Sequence, residues 1–378
     1  MKRERPGTTG PIARVDLLQR NVEDAADNRA RLTALLALAR HYAEAGDGVR
    51  GLETAMQARA LAMDAGDYTS LSNALGSASM SHYHRSDYLS AVATAMDACE
   101  CGRRAENELE IASSFGTIGL SLFALGVLDM ALQVTDRGIE FCGTEPPLQE
   151  QRIRLLRLKG ALAYTGGSLP ESDKLFAEAT RLAERSSKTQ LSLSLGNWGI
   201  MLLREGERRI DAGEPAGDVL SRARDRLQAA VEVALQDGDV LVATDRFCMV
   251  GGVAMLEGQL DEAELLLGEG LERSRELNYV RAGVLASLYL GRLHLKRADP
   301  VKAVASLEHA VSLARKGATG DMLVQAMGLL AEALEQRGDA AGAAERRAEI
   351  EQVRRSNSVD RTRAAKDATE LAQKILSE

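Results

Sequence analysis

Apolar positions along this chain nowhere alternate with polar ones as a strand would require. They recur at helical spacing, in blocks broken by short turns. The turns themselves repeat: Ala-Gly-Asp-Gly at 45–48, Gly-Val-Leu-Asp-Met-Ala at 126–131, Gly-Gln-Leu-Asp-Glu-Ala at 258–263 and Gly-Asp-Ala-Ala-Gly-Ala at 338–343. Five places after each turn glycine, or its substitute, stands a small anchor residue: Gly51, Ala91, Ala131, Ser172, Ala223, Ala263, Ala303 and Ala343, spaced by 40, 40, 41, 51, 40, 40 and 40. Seven places beyond the anchors come Ala58, Ala98, Gly138, Ala179, Ala230, Gly270 and Ala310, with only Ile350 breaking the column. Twelve places before them stand Ala39, Ser79, Gly119, Gly160, Gly251, Gly291 and Ala331, and Gly199 takes that role in the longer fifth unit. Columns kept in register over eight units define a helical repeat.

The physical meaning of the columns is close approach. The anchor and the residue seven beyond it share one face of a second helix, and the residue twelve before lies midway along a first. Without bulk there, two antiparallel helices come close and bury the larger residues around them. The turn glycine supplies the backbone freedom that ends the first helix. One pair cannot bury both of its faces, so pairs must stack. An all-α fold follows.

Leu290-Gly291, Gly258-Gln259-Leu260 and the Ala303–Leu307–Ala310 series resemble the pattern of the tetratricopeptide repeat (TPR) family over roughly 30–356. The departures are a period of 40 in place of the family's typical 34, and weak aromatic columns. HEAT and armadillo arrays share the period range but lack this Gly-x-Leu-x-x-Ala turn. The resemblance implies an α-solenoid of about eight TPR-like helix pairs in a right-handed superhelix, capped by helices at both ends. Its long helices resemble the TPR sensor regions of bacterial signalling proteins, and peptide-pheromone receptors carry comparable repeats.

The ends and one interruption complete the expected organisation. Residues 1–11 are expected to be a disordered tail. Residues 12–27, with Ile12, Val15, Leu18, Val22 and Ala25 on one stripe, predict an N-terminal capping helix ahead of the array at 28–356. Residues 357–378 place Ala364, Ala368, Leu371 and Ile375 at helical spacing, which suits a C-terminal cap, a helix that pairs two copies into a homodimer, or a connector. The fifth unit carries eleven extra residues near 204–215, read as a lengthened first helix and a longer loop.

Composition narrows the function. Apolar residues make up 45% but aromatics only 3%, so the core must be built of Ala, Leu, Val and Met. A net charge of -8 argues against a nucleic-acid surface of the usual basic kind. Cys99, Cys101, Cys142 and Cys248 form no C-x-x-C pair, as suits a reducing compartment. No apolar run approaches the roughly 18 residues of a membrane span, and the polar start lacks the apolar segment of a signal peptide. A cytoplasmic protein is expected. No nucleotide, metalloprotease or nucleophile-elbow motif occurs. The H-x-H at His82 and His84 sends its rings to different faces, so neither metal nor cofactor is expected.

What remains is the groove. Columns at 18, 14, 11 and 7 places before the anchors point away from the partner helix, toward what is the concave surface in TPR-like stacks. Arg40, Asn73, His84, Arg154, Asn197, Asp245, Arg292 and Lys296 are its polar candidates, with Met80 and Tyr289 among the apolar ones. Tyr83 and Tyr164 flank it. Asn side chains would pair with the backbone of a bound peptide, and Arg and Lys with its carboxylates. The expected function is therefore a non-enzymatic adaptor or regulator that grips a protein or peptide segment, acidic in character. The alternative is a sensory module whose output enzyme, such as a cyclic-dinucleotide synthase, lies on another chain or has been removed.

Overall fold

The computed structural model describes residues 11–144, 146–316 and 320–377, and the side chains of these except 11–14, 320, 321 and 353–359. The expected tail at 1–11 lies outside them save for Pro11. Seventeen α-helices and one 3-10 turn (Pro146–Leu148) follow in order, with no strand among the described residues. They are α1 (Pro11–Glu23), α2 (Asn28–Glu44), α3 (Gly48–Ala65), α4 (Tyr68–His84), α5 (Tyr88–Arg104), α6 (Glu108–Leu125), α7 (Leu128–Cys142), α8 (Gln149–Thr165) and α9 (Leu169–Ala183). After them come α10 (Lys188–Asp211), α11 (Gly217–Asp237), α12 (Val240–Leu256), α13 (Leu260–Glu276), α14 (Val280–Lys296), α15 (Pro300–Lys316), α16 (Gly320–Gln336) and α17 (Ala340–Ser377). The helices fall into two compact units. One holds the chain up to Leu182 together with the residues from Arg361, the other Ala183–Asp360.

In the first unit the leading helices of the pairs, α2, α4, α6 and α8, pack on one another in sequence, and α2, α4 and α6 each pack on their trailing helix. Helix α1 lies on α2, where Gln19 Nε2 donates to the Tyr42 hydroxyl at 2.9 Å. The helix expected over 357–378 is continuous with α17. Its apolar stripe is buried in this unit: Ala368, Ala372 and Ile375 join Val92, Phe115 and Ile118 in one core against α5–α7. Helix α6, contrary to the reading of the sequence, is long and apolar enough to cross a membrane, but more than half of it is buried inside the unit.

The second unit repeats the scheme with α10, α12, α14 and α16 leading. Helices α12 to α16 have 17 residues each, whereas α10 has 24 and α11 has 21. The extra length thus goes mainly into helix, with α10 seven residues and α11 four residues longer than the common 17.

The small-residue columns work as holes. In four of the units a bulky residue four places after the anchor enters the space left by the small one twelve places before, or by its equivalent. A Cβ on Gly291 would stand 2.4 Å from Leu307 Cγ, and one on Gly160 would stand 2.9 Å from the Phe176 ring. The pairs Gly199–Leu227 and Gly251–Leu267 repeat the contact. Every alanine anchor is fully buried.

Most connections inside and between pairs are two or three residues long. A left-handed residue ends one helix, and an Asp or Asn caps the next. Gly46, Gly66, Gly238 and Gly338 take the first place, followed by Asp47, Asp67, Asp239 and Asp339. Each aspartate accepts the backbone N–H three residues on, as Asp239 does from Val242 at 3.0 Å. Ala298 holds the same left-handed place with φ 54°, where its Cβ is disfavoured. Ala298→Gly is expected to stabilise the second unit by about 1 kcal/mol, raising its urea midpoint. A lowered midpoint would show that this turn carries no such strain.

Candidate functional site

The candidate side chains stand on the leading helices, in the columns expected to turn away from their partners. In the first unit this face belongs to α2, α4, α6 and α8. Arg40 on α2 is exposed and Arg154 on α8 half-buried, and neither forms an ion pair among the described residues. Asn73 on α4 is held in place: its Oδ1 accepts from Asn107 Nδ2 at 3.0 Å, and the same amide group donates to Ser72 Oγ. Asn107 also caps α6, so the bracing starts from the turn itself.

Between these residues lies one that the sequence reading missed. Glu110, only 9% exposed, extends from α6 across Gly76 of α4, where a Cβ would fall 2.1 Å from its Oε1. That oxygen is buried without a hydrogen-bond partner. Burial pushes the carboxyl up to about 8, against the opposing fields of Arg154 and Arg40. Near neutral pH the acid is therefore uncharged, and it leaves both guanidinium charges uncompensated.

The other first-unit candidates divide. Met80 and Tyr164 are half-buried on α4 and α8. Tyr83 and His84 gather instead at the α4–α5 turn, where the Tyr83 ring lies 5.7 Å from that of Tyr88 and His84 leans over Gly46. His82 turns to Asp87 at 3.1 Å. Among the described residues no three His, Cys, Asp or Glu side chains converge as metal ligands.

In the second unit the same face is filled by its own side chains. Asp245 on α12 is 4% exposed and accepts from Arg246 Nη1 at 3.0 Å and from Arg281 Nε at 3.1 Å. Arg246 reaches Asn197 Oδ1 on α10 at 3.2 Å, passing over Gly196, where a Cβ would meet its Nε at 2.3 Å. Tyr289 of α14 lies on Gly252 of α12, and Arg292 pairs with Glu207 of α10. Of the residues expected to face a ligand, Asn197, Asp245 and Arg292 are thus taken up by internal partners, while Lys296 remains exposed. Glu110, Arg246 and Glu207 escaped notice because no motif marks them. The glycines beneath two of them, Gly76 and Gly196, share a repeat position that could have pointed there.

No family model and no curated protein matches the chain. Solved structures do. The Rap conjugation gene regulator of plasmid pLS20, in complex with the Phr* peptide, aligns with TM-score 0.58 and 14% identity over 86% of this chain and 96% of that one. A Rap protein complexed with competence and sporulation factor aligns with TM-score 0.54 and 12% identity over 92% and 93%. The apo quorum sensor NprR of B. thuringiensis gives 0.51 and 14% over 89% and 91%. The fold is TPR-like. At such identities the likeness extends to the fold alone, and the polar lining of each TPR-like unit has to be read from this chain's own residues.

Proposed function

We propose that the free face of the first unit binds a peptide segment carrying acidic groups, and that the chain acts by this binding as a non-catalytic regulator. The observation that carries the reading is the pair of unpaired cations, Arg40 and Arg154, on either side of a carboxyl kept neutral by burial. A ligand carboxylate would supply the missing counter-charge, and a charge-assisted hydrogen bond to guanidinium is among the strongest available. Asn73 has its Oδ1 engaged by Asn107, which leaves its amide N–H groups as the donors for a peptide carbonyl. Two of the similar folds were solved with peptides bound, Phr* in one and competence and sporulation factor in the other, which supports the same use of this one. A homodimer through the C-terminal helix finds less support, because the stripe it would need is buried against α5–α7.

Selection of a random peptide library on the immobilised protein tests the reading. The enriched sequences are expected to be rich in Asp and Glu. The double variant Arg40→Ala/Arg154→Ala should bind the selected peptides at least about tenfold more weakly, with circular dichroism unchanged. Equal affinity for both proteins, or enrichment without acidic residues, would exclude this surface.

A further inference from the structure

Arg40 and Arg292 stand at the same place in the repeat, eleven residues before an anchor. One is unpaired, and the other meets a carboxylate of its own chain. We infer that Arg292 and Tyr289 form a second carboxylate-recognition site, on the free face of the second unit, which Glu207 occupies from within and which takes an acidic peptide when Glu207 is displaced.

The site is built rather than incidental. Gly252 lets the Tyr289 ring lie flat on α12, since a Cβ there would come within 2.7 Å of the ring. The Tyr289 hydroxyl reaches Met249 Sδ at 4.0 Å, which fixes the ring along the helix. The Arg292 guanidinium sits 5.7 Å from the centroid of that ring. Thus α14 supplies both the Tyr289 ring, laid over Gly252 of α12, and the cation beside it. Glu207 reaches Arg292 from α10, 85 residues earlier in the chain.

Glu207 lies in the lengthened part of α10. That extension is held by Glu205, whose carboxylate accepts from both Arg208 and Arg209, while Arg209 also pairs with Asp218 of α11. The hydrogen bonds from the two arginines hold the Glu205 carboxyl well below its usual range, down to about 2. These ion pairs brace the part of α10 that carries Glu207, and rotation of the Glu207 side chain is the smallest change that releases the site. Both members of the pair are about three-quarters buried, with side-chain exposures of 25% and 26%, so each is still reached from solvent. Lys296, one turn beyond Arg292 on the same helix and exposed, offers a second cation to a ligand with two acidic groups.

The class of ligand follows from the occupant: what a glutamate side chain fills, a glutamate or aspartate of another polypeptide can fill. The eleven-residue extension then has a task, which is to supply an internal competitor that sets the threshold for external binding.

The test uses the full chain in the Arg40→Ala/Arg154→Ala background, so that only the second unit reports and the outcome is independent of the first-unit site. The probe is a fluorescein-labelled peptide of alternating alanine and glutamate, followed by anisotropy. Glu207→Gln is expected to tighten binding at least about tenfold, because a guanidinium released from its partner gains a charge-assisted bond to the probe. Adding Arg292→Gln should abolish the gain, and a glutamine-substituted probe should show none. Asp211, one turn further along α10, also favours the Arg292 charge and could replace Glu207. The double variant Glu207→Gln/Asp211→Asn covers that case. Unchanged affinity in both variants would overturn the proposal, and so would loss of helicity in Glu207→Gln, since either would make the ion pair a structural brace.

Discussion

Gly291→Leu is expected to be among the most damaging single substitutions in the second unit. The new Cβ would lie 2.4 Å from Leu307 Cγ and 2.5 Å from its Cδ2, with the rest of the leucine pressing further into α15. Overpacking of this kind costs roughly 3 kcal/mol, and the gain in helix propensity over glycine returns only about 1 kcal/mol. Leu307→Ala, which empties the same contact from the other side, should also destabilise, by about 2–5 kcal/mol, because Leu307 is fully buried. The decisive measurement is the double variant. If hole and knob are one contact, the larger residue at 291 fills the cavity left at 307, and the combined loss falls short of the sum by more than about 1 kcal/mol. Simple additivity in urea denaturation would show that the two positions do not meet.

That contact explains why so much of the fold could be read from spacing alone. The holes are glycines and alanines, and the knobs are Phe176, Leu227, Leu267 and Leu307, each at a fixed distance from its anchor. Close packing between helices tolerates no drift in those distances, so the geometry of these pairs is written directly as a period of residue sizes. The turns are written almost as plainly. A left-handed residue followed by an Asp or Asn cap recurs at 46–47, 66–67, 86–87 and 106–107, every twenty residues, once within and once between pairs. Ser86 and Glu106 hide half of these signals, because they adopt the left-handed conformation without being glycine.

The free faces were legible only as columns. Spacing puts Asn73, Arg154, Asp245 and Arg292 in the columns expected to turn away from the partner helix, but partnership is not a property of spacing. Whether a cation is unpaired depends on side chains one or two helices away, at separations of 36 residues for Arg281–Asp245 and 85 for Arg292–Glu207. Arg246 and Glu110 each cross to a neighbouring leading helix over a glycine fifteen places before an anchor or its equivalent, Gly196 in one case and Gly76 in the other. Gly116 and Gly328 occupy the same column and have open space above them. The column marks where a side chain can lie flat across the face, but not which residue comes.

Glu110 should make the stability of the first unit fall as pH rises, opposite to the usual behaviour of a carboxylate in a folded protein. Its carboxyl is ordinarily half-ionised near 4.5 and is held at about 8 by burial, with the fields of Arg154 and Arg40 working against the rise. Between those two pH values the folded protein keeps a proton that the unfolded chain releases, so its contribution is fully present below pH 4.5 and is lost as pH climbs through 8. At about 1.4 kcal/mol for each pH unit separating the two values, the total is on the order of 5 kcal/mol. Glu110→Gln keeps the shape without the titration. The difference in unfolding free energy between variant and parent should therefore be smallest in acid, grow in favour of the variant toward pH 8 and level off above it. Any fixed cost of burying the amide moves the whole difference without changing its slope, and parallel pH curves for the two proteins would refute the assignment. The same titration reaches the proposed ligand site. Above about pH 8 the carboxylate appears between Arg40 and Arg154 and competes with an acidic peptide for both. Affinity for such peptides should then decline across that pH in the parent protein and hold steady in Glu110→Gln.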